Sequence, residues 1–371
     1  MSREAGARPL VAVAMSGGVD SSVAAALLAG AGEPVVGLTL KLWCFGEGTA
    51  ERPCCSVESI GQANRVADLI GFPHYVLDGE AAFTSQVMNP FVDEYLRGRT
   101  PNPCVRCNTH MKFELLLERA AALGARELAT GHYARTATVD GEPALLRARE
   151  RAKDQSYVLW GIRREVLGRV RFPLGELSKA EVRARARELG LPNAGREESQ
   201  DVCFVMDGNL EAFLRSRAGL AVTLAPGEIV DRAGRVLGRH AGAARYTVGQ
   251  RRGLNLGGGG PYYVLEVRAE RNQVVVGSEA ELLAPGLHAR QANFLVDWPE
   301  GESRRVDCRI RYLHPGCPAA AVRRADGFEV RFDEPQRAVT PGQSAVLYQG
   351  ERVLAGGVIE AAGGRGERPP D

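Results

Sequence analysis

Short apolar runs alternate with stretches of helical period through the first third of the chain. Val11-Ala12-Val13-Ala14 is apolar and partly β-branched and reads as a buried strand. Ser16-Gly17-Gly18 breaks it, and Asp20-Ser21-Ser22 opens an apolar helix, Val23 to Ala29, that stops near Gly30 and Gly32. Pro34 to Trp43 reads as a second strand. Ile60, Ala63, Val66, Ala67 and Ile70 then recur at helical spacing behind Ser56, a good N-cap. His74 to Asp78 is a third strand. Ala81 to Leu96 is again helical, with Pro90 kinking or splitting it. Arg99-Thr100-Pro101-Asn102-Pro103 is a rigid loop, after which Asn108 is positioned to cap a helix from Met111 to Leu123. Glu127 to Tyr133 is a strand ending in a glycine turn. Strand and helix in alternation predict an α/β fold with a doubly wound, mainly parallel sheet. Its ligands bind outside the carboxyl ends of the strands.

The pattern then changes. A hairpin turns at Val139-Asp140-Gly141, and Ser178-Lys179-Ala180-Glu181 is a capping box for a helix ending at Gly190. After about Gly208 a short helix gives way to short strands, including hairpins around Asp231–Gly234 and before Gln273. From about Gly286 six short strands predict a small β-barrel. The expected organisation is a catalytic domain over 1–207, a small central domain over 208–284, a barrel over 285–362 and a disordered polar tail over 363–371.

Composition narrows the class. A chain of 371 residues with 44% hydrophobic content is long enough for two or three domains with real cores. No apolar run approaches the roughly 18 residues of a membrane span. Met1 to Pro9 is short and polar and runs into the first strand, so a cytoplasmic location without signal peptide or anchor is expected. The net charge of +2 says little. The type of base says more, because lysine occurs only at Lys41, Lys112, Lys153 and Lys179 and arginine supplies the rest of the 47 basic residues. A compact ammonium is not replaced by a guanidinium fork, so those four merit inspection. Eight cysteines in such a chain point to catalytic or metal roles rather than a disulfide framework.

Strand, glycine turn and helix N-terminus is a phosphate-binding design, because backbone amides approach the anion and the helix end adds unsatisfied N–H groups. Neither G-x-x-x-x-G-K-[ST] nor G-x-G-x-x-G fits. Ser16-Gly17-Gly18-Val19-Asp20-Ser21 resembles instead the PP-loop of ATP pyrophosphatases, which cleave ATP between its α- and β-phosphates and leave AMP on an acceptor oxygen. Cys107, read as standing at a helix N-terminus, is placed for a lowered thiol pKa. With the distant Cys203 it suggests sulfur transfer, one cysteine carrying a persulfide and the other assisting or resolving it.

At this point the resemblance is close. Met15-Ser16-Gly17-Gly18-Val19-Asp20-Ser21-Ser22, Arg99 to Pro103, Cys107-Asn108, Ala129-Thr130-Gly131-His132-Tyr133, Lys153-Asp154-Gln155-Ser156-Tyr157, Phe172-Pro173-Leu174-Gly175, Cys203-Phe204, Thr247-Val248-Gly249-Gln250-Arg251 and Val339 to Ala345 together resemble the tRNA-specific 2-thiouridylases (tRNA-uridine 2-sulfurtransferases) over nearly the whole chain. That resemblance implies a PP-loop domain, a central domain and a barrel, the last two tRNA-contacting. It implies that Ala14, Met15, Ser16, Gly17, Gly18, Val19, Asp20 and Ser21 cradle ATP phosphates and that Leu40 and Gly131 contact the nucleotide. Asn102, Pro103 and Cys104 would face the target base. Cys107 would be the nucleophile and Cys203 the persulfide carrier, ending as a Cys107–Cys203 disulfide. His132, Lys153, Asp154, Gln155, Arg311, Tyr312 and Gln343 would contact tRNA. The implied reaction adenylates O2 of the wobble uridine and delivers sulfur to C2. Mg²⁺ would neutralise the triphosphate, and a cysteine desulfurase or sulfur-relay protein would donate the sulfur.

Cys104 departs from much of that family, where aspartate often stands. Cys104, Cys107 and Cys203 suffice for a [4Fe–4S] cluster with an open iron, an alternative route for the sulfur. A zinc site from Cys54, Cys55, Cys104 and Cys107 is a weaker reading, because adjacent Cys54-Cys55 suits a closed tetrahedral site poorly. Cys44, Cys54, Cys55, Cys308 and Cys317 read as structural or surface thiols, and His74 and His110 as structural. A non-enzymatic RNA-binding or sulfur-carrier role would leave the intact PP-loop without purpose. An amidotransferase-linked synthetase would need a further domain.

Overall fold

The computed structural model describes residues 8–42, 57–196, 202–205, 208–218, 222–257 and 260–363. They divide into two compact units: the described residues of Met1–Val87, Cys104–Phe204 and Glu351–Val353, and those of Met88–Pro103, Val205–Gly350 and Leu354–Asp371.

In the first unit β1 (Val11–Ala14), α1 (Val19–Gly30), β2 (Val35–Lys41), α2 (Val57–Ile70), β3 (His74–Asp78) and α3 (Glu80–Phe83) follow in order. The helix read over Ala81 to Leu96 is split, as Pro90 requires. A π-helical turn Thr84–Met88 separates α3 from α4 (Asn89–Leu96), which has Pro90 in its first turn. Next come α5 (Pro103–Arg106), a π-helical segment Cys107–Leu116 and α6 (Leu117–Ala122), one continuous helical run. β4 (Glu127–Thr130), β5 (Ala134–Val139), β6 (Glu142–Arg147), β7 (Val170–Arg171) and α7 (Lys179–Glu188) complete the unit.

The sheet order is β3-β2-β1-β4-β7, and every neighbour pair is parallel. β1 is central, and the chain leaves it toward β2 on one side while β4 returns on the other. The loop after β1 therefore lies at the switch point, beyond the carboxyl ends of the strands. Val11 and Val13 pack with Val23, Ala24 and Leu28 of α1 and with Val182 and Ala186 of α7, all buried. The β5–β6 hairpin turns through Asp140 and Gly141, both at positive φ, and Arg352 pairs with Leu146 beside it.

The second unit holds α4, α8 (Leu210–Ala218), β8 (Gly227–Val230), β9 (Val236–His240), β10 (Tyr263–Arg268) and β11 (Gln273–Gly277), the four strands forming a sheet in the order β10-β11-β8-β9. β12 (Leu283–Phe294), β13 (Ser303–Arg309), β14 (Cys317–Arg324), β15 (Gly327–Arg337), β16 (Ser344–Gln349) and β17 (Arg352–Gly363) follow. They run β12-β15-β14-β13-β16-β17, and β12 pairs with β17 to close a six-stranded antiparallel barrel. Trp298, Phe328, Phe332, Leu347 and Ile359 fill it. Its first strand starts at Leu283, slightly ahead of the expected start near Gly286. Gly286 makes the extension fit, since a Cβ there would stand 2.4 Å from the Val330 carbonyl oxygen.

Candidate active site

The loop after β1 is built to keep amides free. Gly18 takes the N-cap place of α1 in extended geometry with no side-chain cap, so the first-turn N–H groups of the helix are open to an anion. Gly17 has φ +74°, and a Cβ there would lie 2.2 Å from the Ser59 carbonyl oxygen, so only glycine passes. Ser21 Oγ donates to Gly18 O at 3.1 Å and accepts from Ser16 N at 3.1 Å; Ser22 Oγ donates to the same carbonyl at 3.0 Å. Asn193 Nδ2 donates to Gly17 O and Ser22 Oγ, each at 2.9 Å, and Thr39 Oγ1 donates to Met15 O at 2.7 Å. These bonds hold the carbonyls back while Ser16 stays exposed. Ala14 ends β1, Met15 and Val19 are buried, and Leu40 is buried in β2.

Asp20 does not project into open space. Lys179 Nζ lies within 2.9 Å of both its carboxylate oxygens, and Tyr133 Oη donates to one of them at 2.9 Å. The capping box of Ser178 and Glu181 starts α7 so that Lys179, its first residue, reaches the loop. Sequence reasoning placed Lys179 only in that capping box; the scarcity of lysine was the available signal.

The strand beside β1 ends level with it, Thr130 opposite Ala14. Gly131 follows and packs on the loop: a Cβ there would stand 2.6 Å from Ser21 N. His132 Nδ1 is 2.8 Å from Thr130 Oγ1, and its Nε2 is 3.2 Å from Lys112 Nζ. Desolvation, reinforced by the Lys112 charge, holds the His132 pKa well below the ordinary histidine value. The imidazole is therefore neutral. Nε2 accepts from the ammonium, and Nδ1–H donates to Thr130.

The Lys153–Tyr157 segment is a folded loop. Asp154 is buried, accepting from Ala148 N, Ser156 N and Ser156 Oγ at 2.9–3.1 Å, so its carboxylate shapes the loop rather than facing a ligand. Gln155 Oε1 accepts from Tyr133 N at 2.9 Å. Lys153 is half-buried in the short 3₁₀ turn before them.

The cysteine helix starts earlier than its sequence suggested. Proline suits a first helical position, and the helical run opens at Pro103. Asn108 is thus no cap; it is buried, and its Nδ2 donates to Val158 O at 3.0 Å. Cys107 is not at the helix N-terminus but one turn inside, after a helical Arg106, while the exposed Cys104 occupies the first turn. Cys203 is half-buried, and its neighbour Phe204 stacks edge-on against Phe83 of α3 with centroids 5.6 Å apart. α3 in turn packs on the π-helical segment that begins at Cys107. Cys104, Cys107 and Cys203 are present as thiols. Among the described residues no three or more His, Cys, Asp or Glu side chains are arranged to hold a metal ion. Cys44, Cys54 and Cys55 lie outside the described residues. Burial pushes the Cys308 thiol far up and that of Cys317 up to about 12, which removes both from thiolate chemistry.

In the second unit three sequence motifs meet at Thr100. Its N–H donates to Pro341 O at 2.9 Å, its hydroxyl to Thr247 Oγ1 at 3.1 Å, and its carbonyl accepts from Gln343 Nε2 at 2.8 Å. Gln343 is thereby engaged in holding the segment that carries Asn102 and Pro103. Arg311 and Tyr312 are exposed on a barrel turn beside Leu313, which is 85% exposed, with Arg309 donating to the Tyr312 and His314 carbonyls beneath them.

Comparison with known proteins covers nearly the whole chain. Residues 9–207 match the tRNA methyl transferase HUP domain family, 213–278 the tRNA methyl transferase PRC-barrel domain family and 285–359 the aminomethyltransferase beta-barrel domain family. The chain is 50% identical over 363 residues to the tRNA-specific 2-thiouridylase MnmA of Geobacter metallireducens, covering 96% of this chain and 98% of that one. It is 46% identical to the protein of that name from Carboxydothermus hydrogenoformans, over 95% of this chain and 98% of that one. With the one from Acidithiobacillus ferrooxidans it shares 48% identity, over 94% and 97%. Matches of this extent, on a sheet whose central strand feeds a glycine phosphate loop, show that the chain belongs to the tRNA-specific 2-thiouridylase family.

Proposed function

We propose that this protein is a tRNA-uridine 2-sulfurtransferase that uses ATP to convert the wobble uridine of tRNA to 2-thiouridine. One observation carries the reading. A single unit holds an uncapped phosphate loop at the switch point of its sheet together with both segments that bear Cys107 and Cys203.

The chemistry follows from what each part supplies. The Ser16–Ser21 loop takes the phosphates of ATP on the open amides at the start of α1, and Gly131 and Leu40 bound the nucleotide beside it. The uridine C2 oxygen attacks the α-phosphorus and pyrophosphate leaves, so a poor leaving group becomes AMP. The terminal sulfur of a Cys203 persulfide attacks C2 and AMP departs. The Cys107 thiolate then attacks Cys203 Sγ, forming the Cys107–Cys203 disulfide and leaving the outer sulfur on C2. Alternatively, Cys107 first frees that sulfur as sulfide, which attacks C2. In both orders the persulfide sulfur is reduced by two electrons and two cysteines are oxidised, so a thiol reductant resets the enzyme.

Asp20 is engaged by Lys179 and Tyr133, and Mg²⁺ brought in with ATP would neutralise the charge of the triphosphate. A cysteine desulfurase or relay protein loads Cys203. Arg311 and Tyr312 offer phosphate pairing and base stacking to tRNA from the barrel turn, and Asn102, Pro103 and Cys104 face the target base. His132, Lys153 and Gln155 contribute to the RNA side, with Asp154 and Gln343 acting through the loops they hold. No helix among the described residues is long and apolar enough to cross a membrane. The direct test is tRNA-dependent formation of AMP and pyrophosphate: release of ADP, or release indifferent to tRNA, would contradict the proposal.

A further inference from the structure

Lys112 is a positive charge with no part in the sulfur transfer proposed for Cys107 and Cys203. It is one of four lysines in the chain. Its partner is the Nε2 atom of His132, 3.2 Å away, and among the described residues it forms no ion pair with a carboxylate. A neutral imidazole can hold an ammonium in place but cannot compensate its charge. Among the described residues the centre is therefore a half-buried, oriented cation without a counter-ion.

Two features of the backbone say where that cation stands. His132 follows Gly131, which packs on the Ser21 amide of the phosphate loop, and the preceding Thr130 is in register with Ala14. The cation is thus at the carboxyl end of β4, alongside the loop. On the other side, Lys112 belongs to the π-helical segment that begins at Cys107. Residues five apart project about 140° apart on an α-helix of 3.6 residues per turn. On a π-helix, with hydrogen bonds spanning five residues, they are only about 50° apart. The unusual helix therefore turns Lys112 and Cys107 onto one face. The ammonium is thus borne by the helical segment that carries Cys107 and is tied to His132, which follows the glycine packed on the phosphate loop.

We infer that Lys112 is a further catalytic residue: its ammonium binds the α-phosphoryl oxygens of ATP and of the departing AMP, with His132 as the positioning residue that aims it. This rests on the sulfurtransferase reading. The charge grows on those oxygens when the uridine oxygen attacks phosphorus and again when AMP leaves as sulfur arrives. A fixed cation there favours both events over the ground state. A guanidinium in its place would be larger and set its donors in a rigid fork, consistent with lysine at this point of an arginine-rich chain.

The scarcity of lysine makes the test clean. The wild-type protein is labelled with an amine-acetylating reagent in the presence of adenosine, AMP or ATP, and each lysine is quantified by mass spectrometry. AMP and ATP should protect Lys112 at least about fivefold and adenosine should not; equal labelling under all three would overturn the assignment. In Lys112→Ala, tRNA-dependent AMP formation should fall about 100-fold with tRNA affinity and melting temperature retained. Added methylamine or ethylamine should restore part of the rate, and Lys112→Arg should fall between the two. A rate within about threefold of wild type, or a loss that amines do not rescue in a folded variant, would refute the role. If Lys112→Ala does not fold, the labelling result decides alone. Absence of ATP-dependent thiolation in the wild-type enzyme would instead defeat the reading beneath it, whichever way the label falls.

Discussion

Lys179 Nζ sits 2.8 Å from one carboxylate oxygen of Asp20 and 2.9 Å from the other. The first residue of α7 thereby fixes the acidic residue of the phosphate loop, 159 positions away in sequence. Tyr133 closes the arrangement with its hydroxyl on Asp20 and its ring 5.7 Å from the ammonium. The pair keeps the loop's only acid out of the anion's path while leaving the α1 amides in front.

Lys179→Met strands Asp20 without its counter-ion. The pair is more enclosed than a surface ion pair and less than a core one, so the loss should be about 2 kcal/mol, or about 5 °C in melting temperature. AMP formation should fall further than stability explains, because the loop loses its orientation. Calorimetry and a pyrophosphate assay on the same preparation check this. Independence of the two residues, which would contradict the pairing, would show as additivity in the cycle of Asp20→Asn, Lys179→Met and the double variant.

Glycine is required in the phosphate loop and at the end of β4 that packs on it, and is dispensable at the far end of α1. Gly17→Ala meets the Ser59 carbonyl at 2.2 Å and a left-handed φ, and Gly131→Ala meets the Ser21 amide at 2.6 Å. Both should lose tenfold or more of tRNA-dependent ATP cleavage, an order-of-magnitude figure of about 1.4 kcal/mol or above. Gly30→Ala, with nothing within 4 Å of its new Cβ, should instead raise stability by about 0.5–1 kcal/mol in denaturant titration with activity unchanged.

Four histidines shape the pH response. Burial holds the pKa values of His74, His132, His240 and His314 below the ordinary 6.5. A histidine with a depressed folded pKa takes up its proton more readily when unfolded. Its contribution is therefore complete above 6.5 and is lost as pH falls below that value toward the folded pKa. Melting temperature should fall between about pH 7 and 5, and His132→Asn should flatten that slope. A pH-independent melting temperature over that range would contradict it.

The cysteines divide by burial. Cys308 faces Cys317 across β13 and β14, and both thiols titrate far above neutrality. At pH 7.5 iodoacetamide should leave both unmodified in the native protein and reach them after denaturation, while the exposed Cys104 reacts early. Peptide mass spectrometry separates the sites.

The loop after β1 was legible because strand, glycine pair and helix start are local features of adjacent residues. The hairpin at Asp140-Gly141 and the Ser178 capping box were legible for the same reason. The cysteine helix was misplaced because Asn108 is a strong cap residue taken by itself; Pro103 as an N1 residue and the buried bond of Asn108 to Val158 won. β7 is two residues long and exists by pairing with β4, so no periodicity marks it. Asp154 reads as a polar loop residue, yet it is an internal acceptor whose partners lie within six positions. Lys179 and Lys112 stand out in the sequence as rare lysines, but the partners that give them roles are tertiary.

In the proposed reaction sulfur passes through Cys203 to C2 of an ATP-activated wobble uridine. Its most direct measurement is mass spectrometry of tRNA nucleosides after incubation with ATP, Mg²⁺ and a persulfide donor, comparing the wild-type protein with Cys107→Ser and Cys203→Ser. 2-Thiouridine should form with the wild type and with neither variant, while Cys203→Ser still binds ATP and tRNA. Normal 2-thiouridine formation by Cys203→Ser would contradict it.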